Sequence, residues 1–416
     1  MADISWVRFV AFRWFKAGRE SGPSLGPAMA GIAVGVAALI IIIGVMNGFQ
    51  MGFIDSVLEL DSYHIRIGSG DKIMVAPIDS VDFPGIRTVM PFIDVRTMAM
   101  NDSGRTEALR IKVVPDDAFI QDPALPGMLE LRSGSFGDGI LLGSEFAQRL
   151  DVRVDDSMSV LTVQVDPDEG VKASTISVRV SGVYHSGFYE FDSGLAFLPA
   201  SAARGIAMGE PWLTGIKLED RYDDTRIMAR LQAAGFPPET IESWRTYNRA
   251  FFGALRMEKS VMMMLVGLIF LVVGVNIFHA LRKAVYVRFE DIATLKSLGA
   301  DSGSLRMVFL LNGALAGLGG AVIGLAIGLL IALNVNQVFA VLEDLVALAT
   351  VWIPSDAGAF SFFSPDFFYL SDVPVRLPFM EVLFIFISGS AAAVAAAWAA
   401  STRISSLKPS EVLRDE

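Results

Sequence analysis

Apolar positions along this chain follow two regimes. Four long runs, 28–46, 261–281, 307–333 and 379–400, are apolar almost without interruption. Each reaches the roughly 20 residues that cross about 30 Å of hydrocarbon, so each predicts a membrane-spanning helix. Elsewhere the apolar residues are periodic. In 64–67, 108–114, 157–165, 175–184 and 195–198 they alternate or cluster as in strands, and stretches 49–60, 145–150, 200–208 and 224–234 read as short helices. The expected architecture is an α-helical membrane protein with four spanning helices and an α+β domain between the first and second.

One short polar stretch, 282–306, lies between the second and third runs. Phe289, Ile292, Leu295 and Leu298 recur there at helical spacing. Gly299 supplies a left-handed residue to end that helix, and Asp301 can cap the next one. An amphipathic helix of this kind reads either as a contact for a cytoplasmic partner or as a helix resting on lipid headgroups. Residues 4–20 mix Trp6, Phe9, Phe12, Trp14 and Phe15 with four basic residues, a pattern for a helix in the headgroup region.

Charge orients the chain. Segments 1–27, 282–306 and 403–416 carry the basic residues of the short loops, whereas 47–258 holds 31 acidic against 20 basic residues. Basic short loops stay cytoplasmic. The expectation is therefore a bacterial inner-membrane protein with both termini inside and the large domain periplasmic. The boundaries read as lead 1–27, span 28–46, outer domain 47–258, span 259–281, inner loop 282–306, span 307–333, outer loop 334–378, span 379–402 and tail 403–416. The first run follows a basic, aromatic lead and reads as a retained anchor. With a net charge of −11, nucleic acid is not expected as a partner.

The chain has no cysteine, which excludes thiolate metal sites. It has three histidines and no HExxH, GxSxG or phosphate-loop motif, so no catalytic residue, metal or directly bound cofactor is expected. The spans hold few polar residues, among them Asn276, His279, Asn312 and Glu381, and no relay of carboxylates crosses the bilayer. Glycines mark helix packing instead: Gly31 and Gly35 in the first span, and Gly313, Gly317, Gly320, Gly324 and Gly328 in the third. The second span has the soft Met262, Met263 and Met264 in place of such a face. They suit lipid or an apolar ligand. Residues 165–173 form an acidic hairpin tip, either a connector or a binding loop.

These stretches together resemble a known family. FVAFRWFKAG before GIAVGVAALIIIIGVMNGF, GILLGSEFAQRLDVRVDDSMSV (139–160), VSGVYHSGFYEFDSGLAFLP (180–199), SWRTYNRAFFGALRMEKSVM (243–262), VRFEDIATLKSLGA (287–300) and ISSLKPSEVLRDE (404–416) are similar to segments of the lipoprotein-releasing (Lol) permeases of ABC transporters, within the MacB-type mechanotransmission superfamily. The resemblance implies a non-catalytic subunit. It would pair with a second permease, the same or homologous, over two copies of a cytoplasmic ATPase that binds ATP and magnesium. It would extract lipoproteins from membrane lipid and pass them to a periplasmic carrier. The implied ATPase-coupling residues are Arg288, Glu290, Asp291, Leu295, Lys296, Leu298 and Gly299. Acyl chains would meet Met46, Phe49, Met262, Met263, Met264 and Phe270. The carrier would meet Asp166, Asp168, Glu169 and Gly170. The alternatives are a MacB-type exporter of drugs or peptides, a cell-division permease that transports nothing, and a membrane receptor or signalling scaffold.

Overall fold

The computed structural model of the protein describes residues 4–17, 26–68, 83–166, 170–207, 209–350 and 373–402. The chain divides into two compact units: a helical one over 1–51, 255–361 and 372–416, and a β-rich one over 52–254 and 362–371.

The helical unit contains α1 (Ile4–Ala17) and most of α2 (Gly26–Ser56). The helices of the β-rich unit are α3 (Ala118–Gln121), α4 (Ala124–Met128), α5 (Ser144–Leu150), α6 (Tyr189–Gly194), α7 (Asp224–Ala233) and α8 (Trp244–Tyr247). Helix α9 (Arg249–Val287) then returns the chain to the helical unit. There follow α10 (Phe289–Ser297), α11 (Ser302–Leu333), α12 (Val335–Thr350) and α13 (Phe379–Ser401). Helices α2, α9, α11 and α13 carry the four apolar runs, and each is long and apolar enough to cross a membrane. Their shared core includes Ile32, Val36 and Ile40 of α2, Val266, Phe270 and Ile277 of α9, Ala321 of α11 and Ile385 and Ala393 of α13.

Stretch 334–378, expected as a loop, begins instead with helix α12. Val338, Phe339, Val341, Leu342 and Leu345 supply helical spacing there, but Glu343 and Asp344 interrupt it and conceal the helix from a search for long apolar runs. Stretch 200–208, expected as a helix, is a series of turns over its described residues, because Gly205 takes a left-handed φ of 85°.

Strands of the β-rich unit are β1 (Ile65–Ile67), β2 (Ile86–Met100), β3 (Thr106–Val114), β4 (Glu130–Gly134), β5 (Ile140–Gly143), β6 (Ser157–Asp166), β7 (Gly170–His185), β8 (Leu195–Pro199), β9 (Leu213–Leu218) and β10 (Ile241–Ser243). Strand β3 pairs β8 in parallel, β8 pairs β5, β5 pairs β7, β7 pairs β6, and β6 meets β2 at Ala99 and Met100, which returns the ladder to β3. The order β10-β1-β9-β2 extends the other end of β2.

Alternation explains the packing. Leu109, Ile111, Ile140, Leu142, Val178, Val180, Ala196 and Leu198 turn to one core together with Phe146 and Leu150 of α5. Their neighbours Phe92, Val114, Leu141, Tyr184, Leu195 and Phe197 turn to a second core on the opposite face. Both faces of β5 and β8 are buried, so these strands read as unbroken apolar runs rather than alternating ones.

Candidate functional site

The stretch 282–306 is built on a platform of packed aromatics. Helix α10 buries Ile292 against Val285, Leu305 and Phe309, and Trp6, Trp14 and Leu295 pack around them. Arg288, just before α10, donates from Nη2 to the Trp14 carbonyl at 3.0 Å and lies 4.8 Å from the Trp14 ring. Trp14 in turn meets Phe309 at 5.5 Å between centroids. Val7 and Ala11 of α1 are buried against Val308 of α11. The N-terminal helix, α10 and the foot of α11 therefore form one unit. Phe9 and Phe12 stay exposed on the other side of α1.

Gly299 closes the stretch at φ 94°, with its N–H on the Lys296 carbonyl, and Asp301 caps α11 by accepting from Gly303 N–H at 2.9 Å. Of the expected coupling residues, Arg288, Leu295 and Lys296 are half-buried in the platform, while Glu290, Asp291, Leu298 and Gly299 are exposed. Leu298 departs from the predicted stripe. It is the residue after α10 and is 80% exposed, because the helix has already ended at Ser297. The side chain of Phe289 lies outside the described residues.

Glycines of α11 divide between two partners. A Cβ on Gly313 or Gly317 would run into Ala397 or Ala393 of α13. One on Gly320 would stand 2.8 Å from the Met29 carbonyl, one on Gly324 2.5 Å from the Ala33 carbonyl, and one on Gly328 3.0 Å from Ala37 Cα, all on α2. A four-residue step advances about 40° around an α-helix and a three-residue step sets it back about 60°. The single short step from Gly317 to Gly320 thus keeps all five glycines on one stripe. In α2, Gly35 meets Val273 of α9 at 3.3 Å, but Gly31 has nothing within 4 Å and is exposed. Gly31 therefore packs against no described element of its own chain. Two glycines that the sequence reading passed over do that work: Gly44 and Gly48 leave room for the extended stretch 373–378, where Arg376 N–H donates to the Gly44 carbonyl.

The six expected lipid contacts do not form one surface. Phe270 is in the bundle core against Gly389 of α13, Met264 is 70% exposed on α9, and Met46, Phe49, Met262 and Met263 are half-buried. In the expected carrier hairpin, β6 and β7 run on to Asp166 and Gly170, which pair across the tip; Asp168 and Glu169 lie outside the described residues.

Within the helical unit, Glu381 of α13 accepts from Asn47 of α2 at 2.5 Å and pairs with Lys259 of α9. Within the β-rich unit a further charged cluster surrounds the π-helical turn Val57–Ser62. Lys112 and Lys217 are fully buried. Lys217 pairs with Asp122 and, at 3.0 Å, with Glu59, which also holds Arg87. Lys112 donates to the Leu60 and Asp61 carbonyls and lies 4.5 Å from the Tyr63 ring. Burial, with Arg110 and Arg66 nearby, pushes its pKa well below the ordinary lysine range. This cluster is not among the residues expected from the sequence, although a lysine inside an apolar strand (RIKVV, TGIKL) is a readable signal. Among the described residues, no group of histidines and carboxylates could hold a metal ion.

Comparison with known proteins places these features. A family model described as MacB-like periplasmic core domain matches residues 27–234, half of the chain. One described as FtsX-like permease C-terminal matches 263–409. The chain is 26% identical to the lipoprotein-releasing system transmembrane protein LolC of Neisseria meningitidis serogroup B, over 91% of each chain. It is 25% identical to LolC of Xylella fastidiosa, over 91% of this chain and 90% of that one. It is also 24% identical to LolE of Haemophilus influenzae, over 90% of each. With a MacB-like core over half its length and an FtsX-like permease end behind it, the chain is a permease subunit that belongs to the MacB-like family, and over nine-tenths of its length it is similar to proteins named LolC and LolE.

Proposed function

We propose that the chain is the membrane subunit of an ATP-driven complex that extracts lipoproteins from the outer leaflet of the inner membrane and passes them to a periplasmic carrier. The observation that carries this reading is the likeness over nine-tenths of both chains to proteins named lipoprotein-releasing transmembrane subunits. Lipoprotein acyl chains do not leave a bilayer unaided, because each buried CH₂ contributes about 0.8 kcal/mol. In this reading a separate ATPase, two copies with their ATP and magnesium, supplies that energy beneath residues 282–306. The exposed Glu290 and Asp291 on α10, and Leu298 just after it, suit that contact, with the helix anchored through Ile292 and the preceding Arg288. A second permease, the same or homologous, completes the complex.

The orientation follows the basic segments 1–27, 282–306 and 403–416: termini inside, the 47–258 domain in the periplasm. Acyl chains enter beside α2 and α9 at their outer ends, where Met46, Phe49, Met262 and Met263 are half-buried. The hairpin closed by Asp166 and Gly170 faces the carrier in this scheme.

Depletion of the protein in its host, followed by fractionation of the membranes, tests the proposal. An outer-membrane lipoprotein is expected to accumulate in the inner membrane. Normal sorting with a gain in drug or peptide sensitivity instead would overturn it in favour of a MacB-type exporter.

A further inference from the structure

The outer ends of α2 and α9 are joined by side chains at two places. Asn47 Nδ2 donates to Glu381 Oε2 at 2.5 Å, and Lys259 Nζ pairs with the other oxygen, Oε1, of the same carboxylate. One turn further out, Gln50 Nε2 donates to Glu258 Oε2 at 3.1 Å. Glu381 thus spends one oxygen on each helix, and α13 delivers it from its first turn. Deeper in the bundle α2 and α9 meet closely at Gly35 and Val273. Just inside the polar bridge, Met46 and Met262 are half-buried.

An ion pair at this position is easily broken and hard to lose altogether. The Lys259 side chain is 46% exposed and that of Glu381 is 20% exposed. An exposed pair contributes little to stability, so it yields to modest force. A carboxylate left without its cation beside hydrocarbon is penalised, so the open state favours reclosure. We infer that Glu381 is a latch across the mouth between α2 and α9, holding it shut through Asn47 and Lys259 until an acyl chain parts the helices. This deepens the proposed function and rests on it for the identity of the acyl chain. Lys259 and Glu381 are positioning residues here; they set access and perform no chemistry.

The test uses the absence of cysteine in the chain. Met46→Cys places a lone thiol beside the latch, and its labelling by a lipid-soluble maleimide is timed in the full chain assembled with its ATPase, in lipid nanodiscs. Glu381→Gln and, separately, Lys259→Met are expected to speed labelling at least threefold. The charge-reversed pair Lys259→Glu with Glu381→Lys is expected to return it toward the parent rate, which a variant that merely misfolds would not do. Equal rates in parent and single variants would overturn the latch, and so would failure of the reversed pair to slow labelling. Lipoprotein release by the parent complex is measured alongside. If the labelling pattern holds and no lipoprotein is released, the latch stands and the proposed function falls.

Discussion

Lys112 Nζ lies 2.7 Å from the carbonyl oxygen of Leu60, and the same ammonium donates to the Asp61 carbonyl at 2.5 Å. The carbonyls at the end of a helix have no partner within it. Arg66 completes the set, with Nε on the Ser62 carbonyl and Nη2 on that of Asp61, both at 2.8 Å. Tyr63 then leaves the π-helical turn at φ 56°, its ring packed 4.8 Å from Phe92. A buried cation is a costly way to end a helix, and replacing it exposes what it holds together.

Lys112→Met keeps the length of the side chain, takes the ammonium from the Leu60 carbonyl and leaves the Asp61 carbonyl to Arg66 alone. Relief of the ammonium's desolvation offsets part of that loss, and we expect a net destabilisation of about 2 kcal/mol at neutral pH. Hydrogen exchange should quicken at residues 57–63 and remain unchanged in β5 and β8. Because the folded protein holds this lysine below its ordinary pKa, it binds fewer protons than the unfolded chain, so stability rises as pH rises toward the ordinary lysine range. The variant should lose that slope. Unaltered exchange at 57–63 would show that Arg66 alone suffices.

His64 gives a second pH dependence at the acid end. Burial holds its pKa at about 4, against an ordinary value of 6.5, and its Nδ1 accepts from Leu218 N–H at 3.3 Å. A depressed histidine favours the fold only while neutral. Its contribution is complete above pH 6.5 and is lost as the pH falls toward 4, about 3 kcal/mol in all. His64→Asn retains an acceptor without that proton. Denaturant midpoints for parent and variant, compared between pH 7 and pH 4.5, should converge as the pH falls.

Two glycines of similar appearance should respond oppositely. Gly324 carries its partner's backbone where a Cβ would be, and Gly31 faces open space. Gly324→Leu should part α11 from α2 and abolish a monodisperse detergent-solubilised complex. Gly31→Ala should leave it intact and gain a little helix propensity. Size-exclusion profiles distinguish the two, and equal profiles would refute the packing assigned to α11.

The exposed side of the 282–306 stretch, proposed as the ATPase contact, can be tested without touching its anchor. Leu298→Asp, and separately the Glu290→Ala/Asp291→Ala pair, should reduce co-purification of the ATPase at least tenfold while thermal unfolding of the permease stays within about 1 °C, as expected of surface changes. The pair should also reproduce the lipoprotein retention expected on depletion. Arg288→Ala, which removes the Trp14 contact, should lower both binding and thermal stability. Retained binding in all three variants would place the ATPase elsewhere.

Much of the helical unit was legible because its signals are local. The apolar runs, the left-handed Gly299 and the Asp301 cap need only neighbouring residues to be read. The strands at 157–165 and 175–184 were also visible, though β2, the longest strand after β7, was not. Pro91, Asp94 and Arg96 interrupt its alternation, and its pairing with β3, β6 and β9 compensates for them. Local propensity yields to pairing in such a strand.

The sequence by itself determined how many helices can cross a membrane, which loops are basic, and that small residues stripe the third span. These follow from hydrophobic length, charge count and helical period, each a property of neighbours in the chain. Only the tertiary structure decided that Gly31 meets nothing while Gly44 and Gly48 admit 373–378, that Glu381 answers both Asn47 and Lys259, and that Lys112 caps a turn ending 50 residues before it. Those relations join residues far apart in the chain. Which distant group meets a given glycine or charge depends on how whole elements settle against one another, and no local pattern records that.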